Sequence, residues 1–479
     1  MTDTATIDVE EEHHPTRWKL LWSTLKAQRR NLFIGSAVGL LWTLGKISVP
    51  FLVSYSIDRG IEQGEMLWLW VMLIAIAGVA IGTFTAIRRF YAFREARWTE
   101  TRLRERLFNH IMSLHVGYHD RAQTGQLMSR SSSDLTQIQS FVVMIPITLS
   151  NLAMIIGVTV ILFVTDWRLA LVALAPLPFV NVAARRFSRS IHSAVLQVQI
   201  EQAELATVVE ETVGGIRVVK GFGAEEVQSR RLRKEAADIQ AVSIGAARIR
   251  AKYLPAIDLL PQLGLIGVLA VGGMQVINGD LEGVGQLVAF NFYVVLLVGP
   301  LRMIGMTVAW AQRAGAALER VNEVLDTAPE VTDPEHPRSL PPAEHAGAVR
   351  FRDVRFGYSA DSTVLDGFDL DLAAGQSVAL VGATGSGKST VARLLVRFYD
   401  VDAGSVSIDG IDVRELSLHD ARRAVGIVFE DTLLFHDTVA ANIAFAQPDA
   451  PDDSIERAAR LAGAHDFIMG LPEAYDTML

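Results

Sequence analysis

Six stretches of this chain are apolar over lengths that suit a lipid bilayer, and nothing else constrains its fold as much. They cover residues 32–57, 67–85, 141–164, 167–182, 254–277 and 286–310. A spanning helix needs about 20 mostly apolar residues, and only the fourth stretch is short. The composition agrees. Mean hydropathy is +0.28 and charged residues make up only 20% of the 479, which excludes a disordered chain and an ordinary soluble enzyme. There is no cysteine, so a disulfide scaffold, a thiolate zinc site and a cysteine nucleophile are all excluded.

The basic residues orient the spans. Arg17, Lys19, Lys26, Arg29 and Arg30 precede the first. Arg88, Arg89, Arg94, Arg97, Arg102, Arg104 and Arg106 follow the second, and Arg185, Arg186 and Arg189 follow the fourth. The connections Asp58 to Glu65 and Asn278 to Gly283 are poor in positive charge, and the latter carries Asp280 and Glu282. With six spans, every basic flank falls on one side. The positive-inside rule then predicts a multi-pass protein of the cell membrane with both termini cytoplasmic. The polar leader of residues 1–31 and the length of the first span fit a signal anchor better than a cleaved signal peptide.

Thr165-Asp166 alone separates the third and fourth spans, which predicts a tight hairpin. Residues 86–140 and 183–253 have helical composition and are too long for simple connectors. A helix running about 25 residues past the bilayer projects roughly 35–40 Å, far enough to reach a soluble domain. Gly125, Gly214-Gly215, Gly221 and Gly223 mark the expected turning points. Lys46, Asp258 and Arg302 lie within spans and are candidate cavity residues; the plain alternatives are pairing within the bundle for Lys46 and snorkelling to the interface for Asp258 and Arg302.

Residues 328–347 hold five prolines, Pro329, Pro334, Pro337, Pro341 and Pro342, and read as a linker. Charge changes here too. Residues 1–320 carry 32 Lys and Arg against 26 Asp and Glu, whereas residues 321–479 carry 12 against 27. A basic, apolar part is joined to an acidic, soluble one. The basic residues flank apolar segments rather than forming a patch with aromatics, so no nucleic-acid partner is expected.

The acidic part carries readable chemistry. Ser377-Val-Ala-Leu-Val381 predicts a buried strand, and residues 391–398 predict a helix. Between them lie Gly382, Ala383, Thr384, Gly385, Ser386, Gly387, Lys388, Ser389 and Thr390. That is a P-loop in its required context. Its glycines let backbone N–H groups close around phosphate oxygens, and the next helix turns its positive end to the same phosphates. Lys388 is expected beside the β- and γ-phosphates of ATP and the Ser389 hydroxyl on Mg²⁺. Tyr358, at the end of a strand over 349–356, is placed to stack on a purine; a packing role is the plain alternative. Val425-Gly-Ile-Val-Phe429 predicts a second buried strand that ends at Glu430-Asp431. An acid at such a strand end points into the ligand crevice, which makes Glu430 a second candidate metal ligand; a solvent-exposed loop acid is the alternative.

The arrangement resembles a half-transporter of the type IV ATP-binding cassette (ABC) exporters. Tyr118-His-Asp-Arg121, Thr124-Gly125 and Ser129-Arg130 are similar to the first intracellular loop of that family, and Glu210-Glu-Thr-Val-Gly-Gly-Ile-Arg-Val-Val-Lys220 to the second. Asp166-Trp-Arg-Leu resembles the start of the fourth span. Tyr358 matches the adenine-stacking aromatic and residues 382–390 match Walker A. Thr432-Leu-Leu-Phe435-His-Asp-Thr-Val439 matches the segment after the Q-loop, and Glu430 stands where the family usually has Gln.

The resemblance implies a six-helix transmembrane domain with long helical extensions, followed by an α/β P-loop domain. The expected boundaries are a leader 1–31, a transmembrane domain 32–315, a linker 316–347 and a partial nucleotide-binding domain 348–479. It implies ATP and Mg²⁺ as cofactors, a second half-transporter as homo- or heterodimeric partner, the lipid bilayer, and an unidentified transported substrate. The Leu-Ser-Gly-Gly-Gln signature, Walker B and switch histidine of the family do not occur in these residues, so the nucleotide domain is expected to be incomplete. The implied function is the ATP-binding and permease subunit of an exporter. The alternative is a non-catalytic, nucleotide-binding membrane partner or a gene fragment. A membrane-anchored P-loop kinase is a third reading, one that predicts a substrate lid.

Overall fold

The computed structural model describes residues 17–281, 283–341, 347–359, 361–430 and 433–479. Residues 1–16 of the leader, Glu282, Pro342, Asp431 and Thr432 lie outside the described residues. The chain divides into two compact units. One comprises the residues up to Leu114 with Arg121–Ala328, the other His115–Asp120 with Pro329–Leu479.

Helices build the first unit: α1 (Arg17–Ala27), α2 (Arg29–Tyr55), α3 (Leu67–Ser113) and then, past the short α4 (Val116–Arg121), α5 (Thr124–Ser129), α6 (Leu135–Thr165) and α7 (Trp167–Leu174). They continue as α8 (Leu177–Gly214), α9 (Ile216–Gly221), α10 (Glu225–Asn278) and α11 (Val284–Leu325). Among the described residues, six helical stretches are long and apolar enough to cross a membrane. Most of them exceed a bilayer, and α3 and α10 are the longest unbroken helices. The 47 residues of α3 and the 54 of α10 extend about 70 and 80 Å, against roughly 30 Å of hydrocarbon. Past the apolar window of α3, Ala, Leu, Glu and Arg keep the backbone helical without any proline.

Two local expectations change. The fourth apolar stretch is broken at Ala175-Pro176, between α7 and α8. Pro176 has no N–H to continue the ladder. Gly125 lies inside α5, and the chain turns just before it, at Ala122-Gln123. Gly214 does end α8, and Gly223 takes a left-handed φ of 61°. The hairpin at Thr165-Asp166 forms as its length requires. The Asp166 carboxylate accepts the Leu169 N–H at 2.8 Å, capping α7, and accepts Gln275 Nε2 at 3.1 Å.

Small residues let α2 lie close to its neighbours. A Cβ on Gly39 would meet Ser150 Oγ of α6 at 2.2 Å and Arg88 Cδ of α3 at 3.3 Å. One apolar core gathers Met154, Val158 and Leu162 of α6, Leu169 of α7, Val268 of α10 and Phe290 of α11. Asp258 of α10 and Arg302 of α11 are joined as an ion pair, a partnership that snorkelling to the interface does not describe. Asp134, just before α6, is buried and accepts two hydrogen bonds from Arg320 of α11, at 2.9 and 2.5 Å.

The second unit is built on a four-stranded antiparallel sheet of order β2-β1-β3-β4. Its strands are β1 (Val349–Ser359), β2 (Ser362–Leu372), β3 (Ala403–Ile408) and β4 (Ile411–Asp412). Phe351, Val354, Phe356, Leu365 and Val406 pack beneath α12 (Lys388–Leu395), which supplies Val391 and Leu394. Four short helices follow: α13 (Leu418–Ala424), α14 (Val439–Ile443), α15 (Asp452–Leu461) and α16 (His465–Met469). The proline-rich segment lies along this unit. Arg338 pairs with Glu415 at 2.8 Å, and Asp333 accepts the Leu418 N–H at 2.6 Å.

The two strands expected over 377–381 and 425–429 do not form. Both segments are irregular, and Val381 and Val428 are almost fully exposed. Valine and leucine supply strand propensity, but a strand exists only where a neighbour completes its hydrogen bonds. None of the described residues provides one beside either segment.

Candidate nucleotide site

The loop 382–390 takes its shape from its glycines. Gly385 and Gly387 both adopt φ of 87°, a left-handed conformation that side chains resist. At Gly387 a Cβ would also approach Leu365 Cδ2 at 2.9 Å and Val364 Cγ1 at 3.1 Å. The Ser386 N–H donates to Ala383 O at 3.2 Å, closing the turn. Lys388 then opens α12, and its ammonium donates back to the carbonyls of Gly382 and Ala383 at 3.0 and 2.9 Å. Thr384 and Ser389 are exposed on this rim, while Thr390 is buried. A lysine, a helix N-terminus and glycines permitting close backbone approach form a donor-rich concavity. That donor set fits the oxygens of a polyphosphate.

Tyr358 of β1 stands next to this loop. Its hydroxyl lies 3.1 Å from Thr390 Oγ1 and accepts from Arg393 Nη1 at 3.3 Å. Its ring meets those of Phe356 and Tyr399 edge to face, at 5.1 and 5.2 Å between centroids. The expected purine platform is thus beside the P-loop helix and partly exposed.

Three further residues complete the cluster, and the sequence did not single them out. Arg393 is three positions beyond Thr390, on the same face of α12. Tyr399 donates its hydroxyl proton to Asp120. Gly117 fits under the Tyr399 ring, where a Cβ would come to 3.0 Å. At the start of that segment the buried His115 accepts the Glu330 N–H at Nδ1, 3.2 Å, and lies 3.0 Å from the Glu330 carboxylate through Nε2. Only the tautomer with its proton on Nε2 satisfies both contacts. The motif Tyr118-His-Asp-Arg121 carried a signal for this segment but not its partners.

Glu430 is exposed, and no hydrogen bond or ion pair joins it to another of the described residues. The residue before it, Phe429, stacks on Phe398 at 6.2 Å with rings nearly parallel, which holds the segment against the end of α12.

Residues 32–301 match the family model of the ABC transporter transmembrane region, more than half of the chain. The chain belongs to the ABC transporter family. Residues 365–475 of this ABC transporter chain match a second model, described as ABC transporter, which covers the loop and Glu430. A multidrug efflux ATP-binding/permease protein of Mycobacterium bovis is 36% identical over 96% of the chain, and the chain spans 38% of that relative's length. An ATP-dependent lipid A-core flippase of Syntrophus aciditrophicus is 31% identical over 92% of the chain and 73% of its own length. A solved bacterial Atm1-family ABC exporter with ATP bound superposes with a TM-score of 0.71 at 26% identity, covering 94% of this chain and 80% of its own.

Proposed function

We propose that this chain is the ATP-binding and permease subunit of an ABC exporter, acting as one half of a homo- or heterodimer in the cell membrane with both termini cytoplasmic. The observation that carries the reading is the P-loop at the head of α12, with Tyr358 against Thr390, in a chain that also has six membrane-length helices. Residues 1–31 would be a cytoplasmic leader, 32–315 the transmembrane domain, 316–347 the linker and 348–479 the nucleotide-binding part.

In this reading Lys388 gives up the carbonyls of Gly382 and Ala383 to meet the terminal phosphates of ATP. The N–H groups of residues 382–390 and the N-terminus of α12 receive the remaining phosphate charge. Tyr358 stacks on the adenine. The Ser389 hydroxyl, with Glu430, would hold Mg²⁺, which supplies charge neutralisation at the phosphates. Nucleotide binding then biases a two-state membrane domain and drives efflux of a substrate. The relatives named for multidrug efflux and lipid A-core flipping support an amphipathic substrate.

The test is binding of a fluorescent ATP analogue to the purified chain. Lys388→Ala is expected to weaken binding by roughly tenfold or more, the loss of one charge-assisted contact. Equal binding by wild type and variant would sink the assignment. A second reading, a non-catalytic nucleotide-binding partner, is favoured by Glu430, since a carboxylate there does not orient an attacking water as an amide does. If that reading holds, Glu430→Gln raises ATP turnover in the complex with a full-length half.

A further inference from the structure

Arg88 of α3 is buried where a charge is expensive. Its guanidinium exposes almost no surface, and its Nε and Nη1 have no hydrogen-bond partner among the described residues. A π face meets it, the indole of Trp42 on α2, 4.0 Å from the guanidinium carbon. The Trp42 Nε1–H is itself buried and unpartnered. Lys46, one turn further along α2, reaches over the same ring with Nζ 5.9 Å from its centroid. None of the described carboxylates pairs with either cation.

These groups are all donors, and donors cannot satisfy one another. A buried guanidinium without an acceptor is strongly destabilising, so the cluster is incomplete as it stands. What completes it must bring acceptor oxygens and negative charge. Depth narrows the source. Arg88 follows Leu67, the first residue of α3, by 21 positions, or about 31 Å of helix, close to the roughly 30 Å of bilayer hydrocarbon. The apolar run of α3 ends at Ile87, so Arg88 sits at the level where phospholipid phosphates lie. Lys46 starts deeper and snorkels toward the same level. Gly39 lets Arg88 come in close to α2, since a Cβ there would press on Arg88 Cδ and Ser150.

We propose that Arg88, Trp42 and Lys46 form a binding site for the phosphate of an anionic amphipath at one face of the bilayer. The guanidinium grips two phosphate oxygens, the indole N–H donates a third bond, and Lys46 balances the charge. Such a site is separate from the nucleotide loop and stands whether or not that loop binds ATP.

The full chain in phosphatidylcholine nanodiscs tests this by its melting temperature. Phosphatidylglycerol added to the nanodiscs is expected to raise the wild-type melting temperature, with apparent affinity roughly tenfold or more weaker in Arg88→Gln. Inorganic phosphate, added alone, separates the sources. A rise with phosphate that Arg88→Gln removes supports the site with a free anion as its ligand, whereas a rise with the lipid only supports the headgroup. If Arg88→Gln does not fold, Arg88→Lys and Lys46→Gln replace it, and weakened lipid response in either supports the site. No wild-type shift with lipid or phosphate overturns the proposal, as does an equal shift in wild type and every variant.

Discussion

The hydroxyl of Tyr399 donates a hydrogen bond to the carboxylate of Asp120, 279 residues earlier in the chain. The same ring rests edge-on against Tyr358, whose hydroxyl touches the P-loop helix at Thr390. A short chain of contacts therefore links the expected purine platform to the segment His115–Asp120. Chain connectivity continues that segment into α3 on one side and toward α5 on the other.

Tyr399→Phe keeps the ring contact and removes the hydrogen bond. It is expected to cost roughly 1 kcal/mol in the stability of the second unit, since the carboxylate stays accessible to water. Gly117→Val should cost more, because its side chain has no room beneath the ring. Limited proteolysis around residues 115–121 reports both. Equal cleavage rates in wild type and Gly117→Val would contradict the packing.

Alkali gives an independent readout of the same bond. Burial first, and the Asp120 hydrogen bond and charge next, hold the Tyr399 phenol well above its usual value near 10. The folded state keeps a proton that the unfolded state loses, so this contribution to stability is complete below about pH 10 and falls as pH rises beyond it. Tyrosinate absorbance between pH 10 and 11 should be the same in wild type and Tyr399→Phe, because Tyr399 does not ionise in that window.

Tyr358 offers a two-step test of purine stacking. Tyr358→Ala should weaken nucleotide binding by about 1–3 kcal/mol, the worth of one base–aromatic stack. Tyr358→Phe loses only the contacts with Thr390 and Arg393, and its affinity should stay within a few-fold of wild type. If both variants lose binding equally, the hydroxyl and not the ring face is what matters.

Arg320→Ala removes both hydrogen bonds from Asp134, which is almost wholly buried. An uncompensated buried carboxylate costs about 3 kcal/mol, visible as a clear fall in melting temperature. Arg320→Ala combined with Asp134→Asn should recover part of that loss, because the charge is then gone.

The sequence by itself determined the six membrane-length helices, the tight hairpin at Thr165-Asp166 and the P-loop. Each is written in local terms: about 20 apolar residues in a row, a two-residue break with a capping aspartate, glycines at fixed spacing before a lysine. Local physics reads them without knowledge of neighbours. The tertiary structure decided what depends on partners. Residues 377–381 and 425–429 have the composition of buried strands, yet stay irregular because no adjacent strand among the described residues completes their ladders. Asp258 and Arg302 looked like separate candidates until α10 and α11 paired them. Asp120 and Tyr399 carry no shared signal along the chain, and neither do Arg88 and Trp42. A hydrogen bond or a cation–π contact forms between surfaces that only folding brings together, so its two halves are legible in the sequence and their meeting is not.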